Sequence, residues 1–213
     1  MGVKMARLLH ILAHPDPDSS RTGRLAAAFL QRYADLHPQD RILQLDLYRE
    51  SIPFVTADHL AAFRKHDAPG MMTEQERHAW EDVSARVRQF MEADKYLVTA
   101  PMWNFTVPAI LKAYLDLIMV AGQTFRYDAT GAPVGLLAGR RMVLVSTCGG
   151  SCALPELAEL EMNTRYLRAI FGFMGIEVIG EVVAEGTNLL DGRETDRMLD
   201  DITGLARELA ERL

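Results

Sequence analysis

Three short stretches carry side chains whose types and spacing suit ligand chemistry. The first is His14–Thr22 (HPDPDSSRT), where Ser19, Ser20 and Thr22 offer hydroxyls, Arg21 a fixed positive charge and His14 an imidazole. At the start of a helix, free backbone N–H groups and the positive end of the helix dipole favour an anion there by roughly 0.3–1 kcal/mol. The stretch has neither the glycine spacing of a dinucleotide fingerprint nor a Gly-Lys-Ser/Thr triplet, so it reads as a cup for one phosphate. A plain Ser/Thr helix cap fits the same residues. The second stretch is Pro101-Met102-Trp103-Asn104-Phe105. Two aromatics and a methionine suit one wall of a slot for a flat, polarisable ring, although they would also staple a helix beginning near Pro108. The third is Thr147-Cys148-Gly149-Gly150-Ser151, whose paired glycines let the backbone approach a ligand closely or simply make a turn.

The elements around these stretches follow from apolar periodicity. Arg7–Ala13 reads as a buried strand, and Thr22–Leu36 as a helix with Leu25, Ala26, Phe29 and Tyr33 on one face. Arg41–Leu47, Tyr96–Ala100, Arg141–Thr147 and Glu177–Ala184 read as further strands. Helices are expected over Thr73–Ala93, Pro108–Val120, Pro155–Phe171 and Asp191–Leu213. The first of these opens on a capping box, Thr73 with Glu76, and Pro108 sits where a missing N–H costs nothing. Strands alternating with helices predict an α/β fold: a five-stranded parallel sheet covered by helices on both faces, in the flavodoxin-like order 2-1-3-4-5. No linker divides the chain, so residues 1–213 are read as one domain. Two connections, roughly 48–72 and 122–140, exceed what such a fold requires.

That sheet order sends the three stretches to one place. Open α/β sheets bind ligands beyond the carboxyl ends of their strands, where the order reverses, and the stretches follow strands one, three and four. A single ligand with a phosphate, an aromatic ring and ring-edge acceptors would touch all three, and FMN meets that description.

Composition removes several other classes. The 213 residues are 49% hydrophobic and 24% charged with a net charge of −6, which is ordinary globular composition. A nucleic-acid surface would need a basic stripe that the chain lacks, and no apolar run is long enough to span a bilayer. Lys4 and Arg7 ahead of Leu8–Leu12 imitate a signal peptide only in outline, and Gly2 does not open a myristoylation signal because Ala6 stands where Ser or Thr is required. Cys148 and Cys152 are too few for a disulfide framework and have neither redox nor zinc spacing. The expected compartment is the cytoplasm. His59, His66 and His78 lie near Asp58 and Asp67 without ligand spacing, so no metal site is expected and a solvated surface is the reading for them. His10 is expected to be a satisfied core residue.

The chain also resembles a known family. Pro101–Phe105, Leu111-Lys112-x-Tyr114-x-Asp116-Leu117, Ala121-Gly122-x-Thr124-Phe125-Arg126-Tyr127, Gly172-Phe173-x-Gly175-Ile176 and Ala184-Glu185-Gly186 are similar to motifs of the FMN-dependent NADH-azoreductase/NADH:quinone oxidoreductase family, over essentially the whole length. The resemblance implies a homodimer with one FMN per subunit and active sites at the subunit boundary. NADH or NADPH would be the electron donor, and quinones or azo compounds the acceptors. It implies that Ser20, Arg21 and Thr22 hold the phosphate, that Pro101, Met102, Trp103, Asn104 and Phe105 contact the ribityl chain and ring, and that Thr147, Cys148, Gly149 and Gly150 embrace the pyrimidine edge. Phe125, Tyr127 and Phe173 would line the pocket over the flavin, with Asn104 and Tyr127 nearest the chemistry. The Ala13-His14-Pro15 start departs from the family's usual Ser and looks like related two-electron quinone reductases, which makes His14 a cofactor contact. Trp103 replaces the commoner Tyr, and Cys148 stands where Arg is frequent. Other readings are a flavodoxin-type electron carrier without its own NAD(P)H activity, and a hydrolase or transferase using Cys148, which lacks an identifiable partner base.

Overall fold

The computed structural model describes residues 5–151 and 155–213; Gly2, Lys4 and Cys152 lie outside the described residues. The chain opens on strand β1 (Arg7–Leu12), whose residues after Arg7 are all buried, as expected of a strand flanked on both edges and covered on both faces. Helix α1 (Arg21–Leu36) follows and buries Leu25, Ala26, Phe29 and Tyr33, the face its periodicity predicts. Next come β2 (Arg41–Asp46), α2 (Ala57–Lys65), a 3₁₀ turn at Pro69–Met71, α3 (Glu74–Met91) and β3 (Lys95–Thr99). The second half contains α4 (Ala109–Ile118), β4 (Phe125–Tyr127), β5 (Pro133–Gly135), β6 (Arg141–Thr147), α5 (Pro155–Ala158), α6 (Asn163–Phe173), β7 (Glu177–Ala184) and α7 (Gly192–Arg212).

Five strands pair in parallel in the order β2-β1-β3-β6-β7, which is the predicted 2-1-3-4-5 once the separate β4–β5 hairpin is set aside. Alternation along β1 splits the core into two layers. Leu9 and Ile11 join Phe90, Tyr96, Leu111, Tyr114 and Phe171 on the face covered by α3, α4 and α6. Leu8 joins Leu25, Phe29, Leu199 and Leu209 on the face covered by α1 and α7. The expected capping box is formed: Glu76 N–H donates to Thr73 Oγ1 at 3.2 Å and Thr73 N–H to Glu76 Oε2 at 2.8 Å.

The two long connections are built elements rather than open loops. Within 48–72 lies α2, which carries its own capping box between Thr56 and His59. Within 122–140 lies the β4–β5 hairpin, whose turn is tied by Asp128 accepting from the N–H groups of Thr130 and Ala132. The helix expected over Pro155–Phe171 is two helices, α5 and α6. His59 and His66 are not solvated surface. His59 is buried as the third residue of the α2 box, and the His66 ring packs 5.1 Å from Trp80 while contacting the Phe63 carbonyl at 2.9 Å. Among the described residues, no helix is long and apolar enough to cross a membrane.

Candidate ligand cavity at the strand ends

The crossover from β2 back past β1 to β3 leaves a crevice beyond the carboxyl ends of β1, β3 and β6, and a cavity of about 450 Å³ occupies it. The first stretch contributes His14, Ser19, Ser20, Arg21 and Thr22, the second Pro101, Met102 and Trp103, and the third Thr147 and Gly149. The three stretches singled out by residue type therefore share one space, of the size usual for small-molecule sites.

Ser20 is the N-cap of α1. Its hydroxyl accepts from Gly23 N–H at 2.9 Å and donates to the Pro17 carbonyl at 3.1 Å, so the capping alternative is the one realised for this side chain. An anion at this end would instead meet the first-turn N–H groups of Arg21 and Thr22, which have no partner within the helix. Thr22 Oγ1 lies 2.6 Å from Thr147 Oγ1, joining the helix start to the tip of β6. One hydroxyl of that pair donates to the other, which leaves a single O–H for a ligand. His14 accepts from Asp16 N–H at 3.0 Å through Nδ1, which puts the proton of the neutral ring on Nε2. Its ring stands 5.9 Å from that of Trp103.

Trp103, Asn104, Phe105 and Thr106 form a two-residue turn, with Trp103 N–H donating to Thr106 O at 2.9 Å and Thr106 N–H to Trp103 O at 3.1 Å. Both central residues have positive φ, 49° at Asn104 and 72° at Phe105. Two positive φ values in succession match a type I′ turn, which favours Asn-Gly. Asn tolerates that conformation, but Phe pays about 1–3 kcal/mol. A pair of variants isolates the strain. Phe105→Gly should be more stable to urea than Phe105→Ala by about 1 kcal/mol, because both lose the ring and only glycine relaxes at positive φ. An alanine variant at least as stable would mean that the turn is unstrained.

Several expected residues lie elsewhere. Cys148 is buried, and its Sγ turns back on its own loop, 2.7 Å from the Gly150 carbonyl; neither residue lines the cavity. Asn104 lies beyond Trp103, in an adjoining apolar cavity of about 610 Å³ that also takes in Lys112 and Tyr166. Phe105 lines neither space and is 52% exposed. Phe125, Tyr127 and Phe173 do meet one another, with ring centroids 5.7 Å apart for the first pair and 4.9 Å for Phe125–Phe173. This trio sits on the β4–β5 hairpin and the end of α6 and borders neither of these two cavities.

The loop after β7 was not foreseen. Thr187 and Asn188 complete the wall of the first cavity. Asn188 Oδ1 accepts from Arg21 Nη1 at 3.1 Å, Asn188 N–H donates to Gly149 O at 3.0 Å, and Thr187 Oγ1 donates to Cys148 O at 3.0 Å. A Cβ on Gly149 would lie 2.3 Å from Asn188 Nδ2, so a larger residue there would push the Asn188 amide aside. Only the Glu185-Gly186 turn after a strand could have signalled this loop in advance.

A parallel sheet in this order, with a helix start and an aromatic wall at its reversal point, defines a flavodoxin-like protein. A family model described as flavodoxin-like fold matches residues 6–205. The FMN-dependent NADH:quinone oxidoreductase of Caldicellulosiruptor saccharolyticus is 40% identical over 98% of this chain and 100% of that relative. Its namesake in Brevibacillus brevis is 38% identical over 86% of this chain and 88% of that relative. An FMN-dependent NADH-azoreductase from Bacillus anthracis, solved in complex with FMN, superposes with a TM-score of 0.86 at 35% identity, covering 97% of this chain and 100% of that one. The chain belongs to the family of FMN-dependent NADH:quinone oxidoreductases and NADH-azoreductases.

Proposed function

We propose that this protein is an FMN-dependent oxidoreductase that takes electrons from NADH, reduces quinones by two electrons and reductively cleaves aromatic azo compounds. The observation that carries this reading is the cavity shared by the strand ends, in a chain 35% identical to a protein solved with FMN. Its lining suits that cofactor: a cation and first-turn N–H groups for the phosphate, an aromatic and thioether wall for the ring, and the Gly149 backbone for the pyrimidine edge. FMN, when bound, supplies hydride chemistry at N5 and so exchanges two electrons with each substrate in turn.

The chain's own residues bind and orient. Arg21, held by Asn188, offsets the phosphate charge together with the α1 dipole and the His14 Nε2–H. Met102 and Trp103 wall the ring slot. The Cys148 N–H is taken by the Ala184 carbonyl at 2.9 Å, so the backbone at Gly149, which lines the cavity, is the one that would approach the pyrimidine edge, where preorganised donors stabilise negative charge at no reorganisation cost. Asn104, which borders the adjoining cavity, and the Phe105 N–H would address the opposite ring edge. Proton delivery needs no side-chain base, since water suffices.

The protein works as a homodimer in this reading. The trio of Phe125, Tyr127 and Phe173 lies off its own cavity, with Tyr127 59% exposed, and would close the substrate pocket of the other subunit. The compartment is the cytoplasm.

Purified protein should be yellow or become so with added FMN. Anaerobic NADH should bleach the visible band, and a benzoquinone should restore it. Steady-state double-reciprocal plots should be parallel, the mark of donor and acceptor using the site in alternation. A colourless polypeptide that gives no heat on titration with FMN would end this reading.

A further inference from the structure

Asn163, the first residue of α6, is completely buried between the two strands whose ends carry the ring-binding loops. Its Nδ2 donates to Ser146 Oγ at 2.7 Å and to the Ala100 carbonyl at 3.3 Å. Ala100 immediately precedes the Pro101–Phe105 stretch, and Ser146 immediately precedes Thr147. These strands still pair just beyond β3, through Ala100 N–H to Val145 O at 3.0 Å and Met102 N–H to Thr147 O at 2.9 Å. The Asn163 amide bridges the same two segments from the side. The next turn of chain is tied in as well, because Met162 N–H donates to the Phe105 carbonyl at 2.9 Å.

The arrangement has a cost that packing alone does not explain. Asn163 Oδ1 is buried and has no hydrogen-bond partner among the described residues. An orphaned buried acceptor costs about 1–3 kcal/mol, and a position needing only volume would be better filled by leucine. What the amide supplies, and leucine cannot, is two donors in one plane.

We infer that Asn163 is a positioning residue that fixes the separation of the Pro101–Phe105 and Thr147–Gly150 loops, and with it the width of the slot for the flavin ring. The inference rests on the FMN reading above. Asn163 acts through Ala100 and Ser146 and touches no ligand itself.

Asn163→Asp keeps the shape of the side chain and, as a carboxylate, removes both donors. At pH 8 this variant should bind FMN roughly tenfold more weakly, and the visible band of the bound flavin should change shape. Ser146→Ala, which leaves the Ala100 contact in place, should lose less affinity than Asn163→Asp. In FMN-free protein, the Met102 amide should exchange its hydrogen faster in Asn163→Asp than in the parent. Should Asn163→Asp not fold, the same two measurements on Ser146→Ala decide the question. Parental FMN affinity with an unchanged band shape would overturn the inference, as would parental Met102 exchange. Failure of the parent protein to bind FMN refutes the functional reading instead, and the exchange measurement still decides the role of Asn163.

Discussion

Gly23→Ala should cost this protein at least about tenfold in FMN affinity and lower its thermal midpoint. Elsewhere in a helix the same change is expected to help, since alanine is favoured over glycine by about 1 kcal/mol. The reversal comes from the loop that α1 carries on its first turn. A Cβ at position 23 would lie 1.9 Å from the Pro17 carbonyl oxygen and 2.8 Å from its carbon. Both are backbone atoms, so no rotamer change relieves the clash and the loop itself must move. The same residue donates its N–H to the Ser20 cap, and Arg21 and Thr22 lie just beside it. Overpacking of this kind costs about 1–3 kcal/mol, and the movement falls on the segment that, in the proposed reading, would present N–H groups to a phosphate. Isothermal titration with FMN and a melting curve of the FMN-free protein measure the two effects. Parental affinity in the variant would mean that the Pro17–Ser20 segment yields without moving the phosphate contacts.

Lowering the pH from 6.5 to 4 should remove about 3 kcal/mol of folding stability through one residue, His10. Burial pushes its pKa down from 6.5 to about 4, against the opposing influence of Gln44 and Asp46. Between those values the unfolded chain takes up a proton that the folded chain refuses. The contribution is therefore complete above pH 6.5, erodes as the pH falls, and is exhausted below about 4. His37, also lowered chiefly by desolvation, pulls in the same direction from a far more exposed position. Asp40, Glu76 and Asp128 have lowered pKa values as well, but their effect begins only near the ordinary carboxylate range. Urea titrations at pH 7, 6 and 5 should show a steep loss in the parent and a much shallower one in His10→Gln. Equal slopes would mean that His10 keeps its proton in the fold. His10 also lies close to the site, its Nε2 2.9 Å from Thr99 Oγ1, two residues before Pro101.

The strands, and the three loops that meet at one cavity, were legible because their signals are local. A buried strand running into a Ser-rich helix start, or into Gly-Gly, can be recognised without knowing its neighbours, and the alternating pattern then dictates which strand ends meet. What escaped depends on contacts made across the fold. Gly23 looks like a merely unfavourable helix residue until the Pro17 carbonyl is seen against it. Thr187 and Asn188 have no chemical signature of their own and matter only because β7 lies beside β6. Cys148 carries reactive chemistry, yet its Sγ is turned onto its own loop. Ser20 illustrates a different limit: one sequence pattern suits both a cap and a phosphate cup, and the structure shows its hydroxyl engaged as the cap.

The position of β1 inside the sheet has a consequence for how the chain comes into being. β1 is an interior strand made before both of its neighbours: it pairs with β2 early, but its other edge waits for β3, with Leu8 opposite Lys95. Helix α1 waits longer still, since Arg24 pairs with Asp196 and Asp200 across separations of 172 and 176 residues. At a synthesis rate of about 5–20 residues per second, the apolar face of α1 emerges many seconds before α7 exists to cover it. Closure of this layer is therefore a late, non-local event, and Leu25 and Phe29 stay without their α7 partners until that helix has been made.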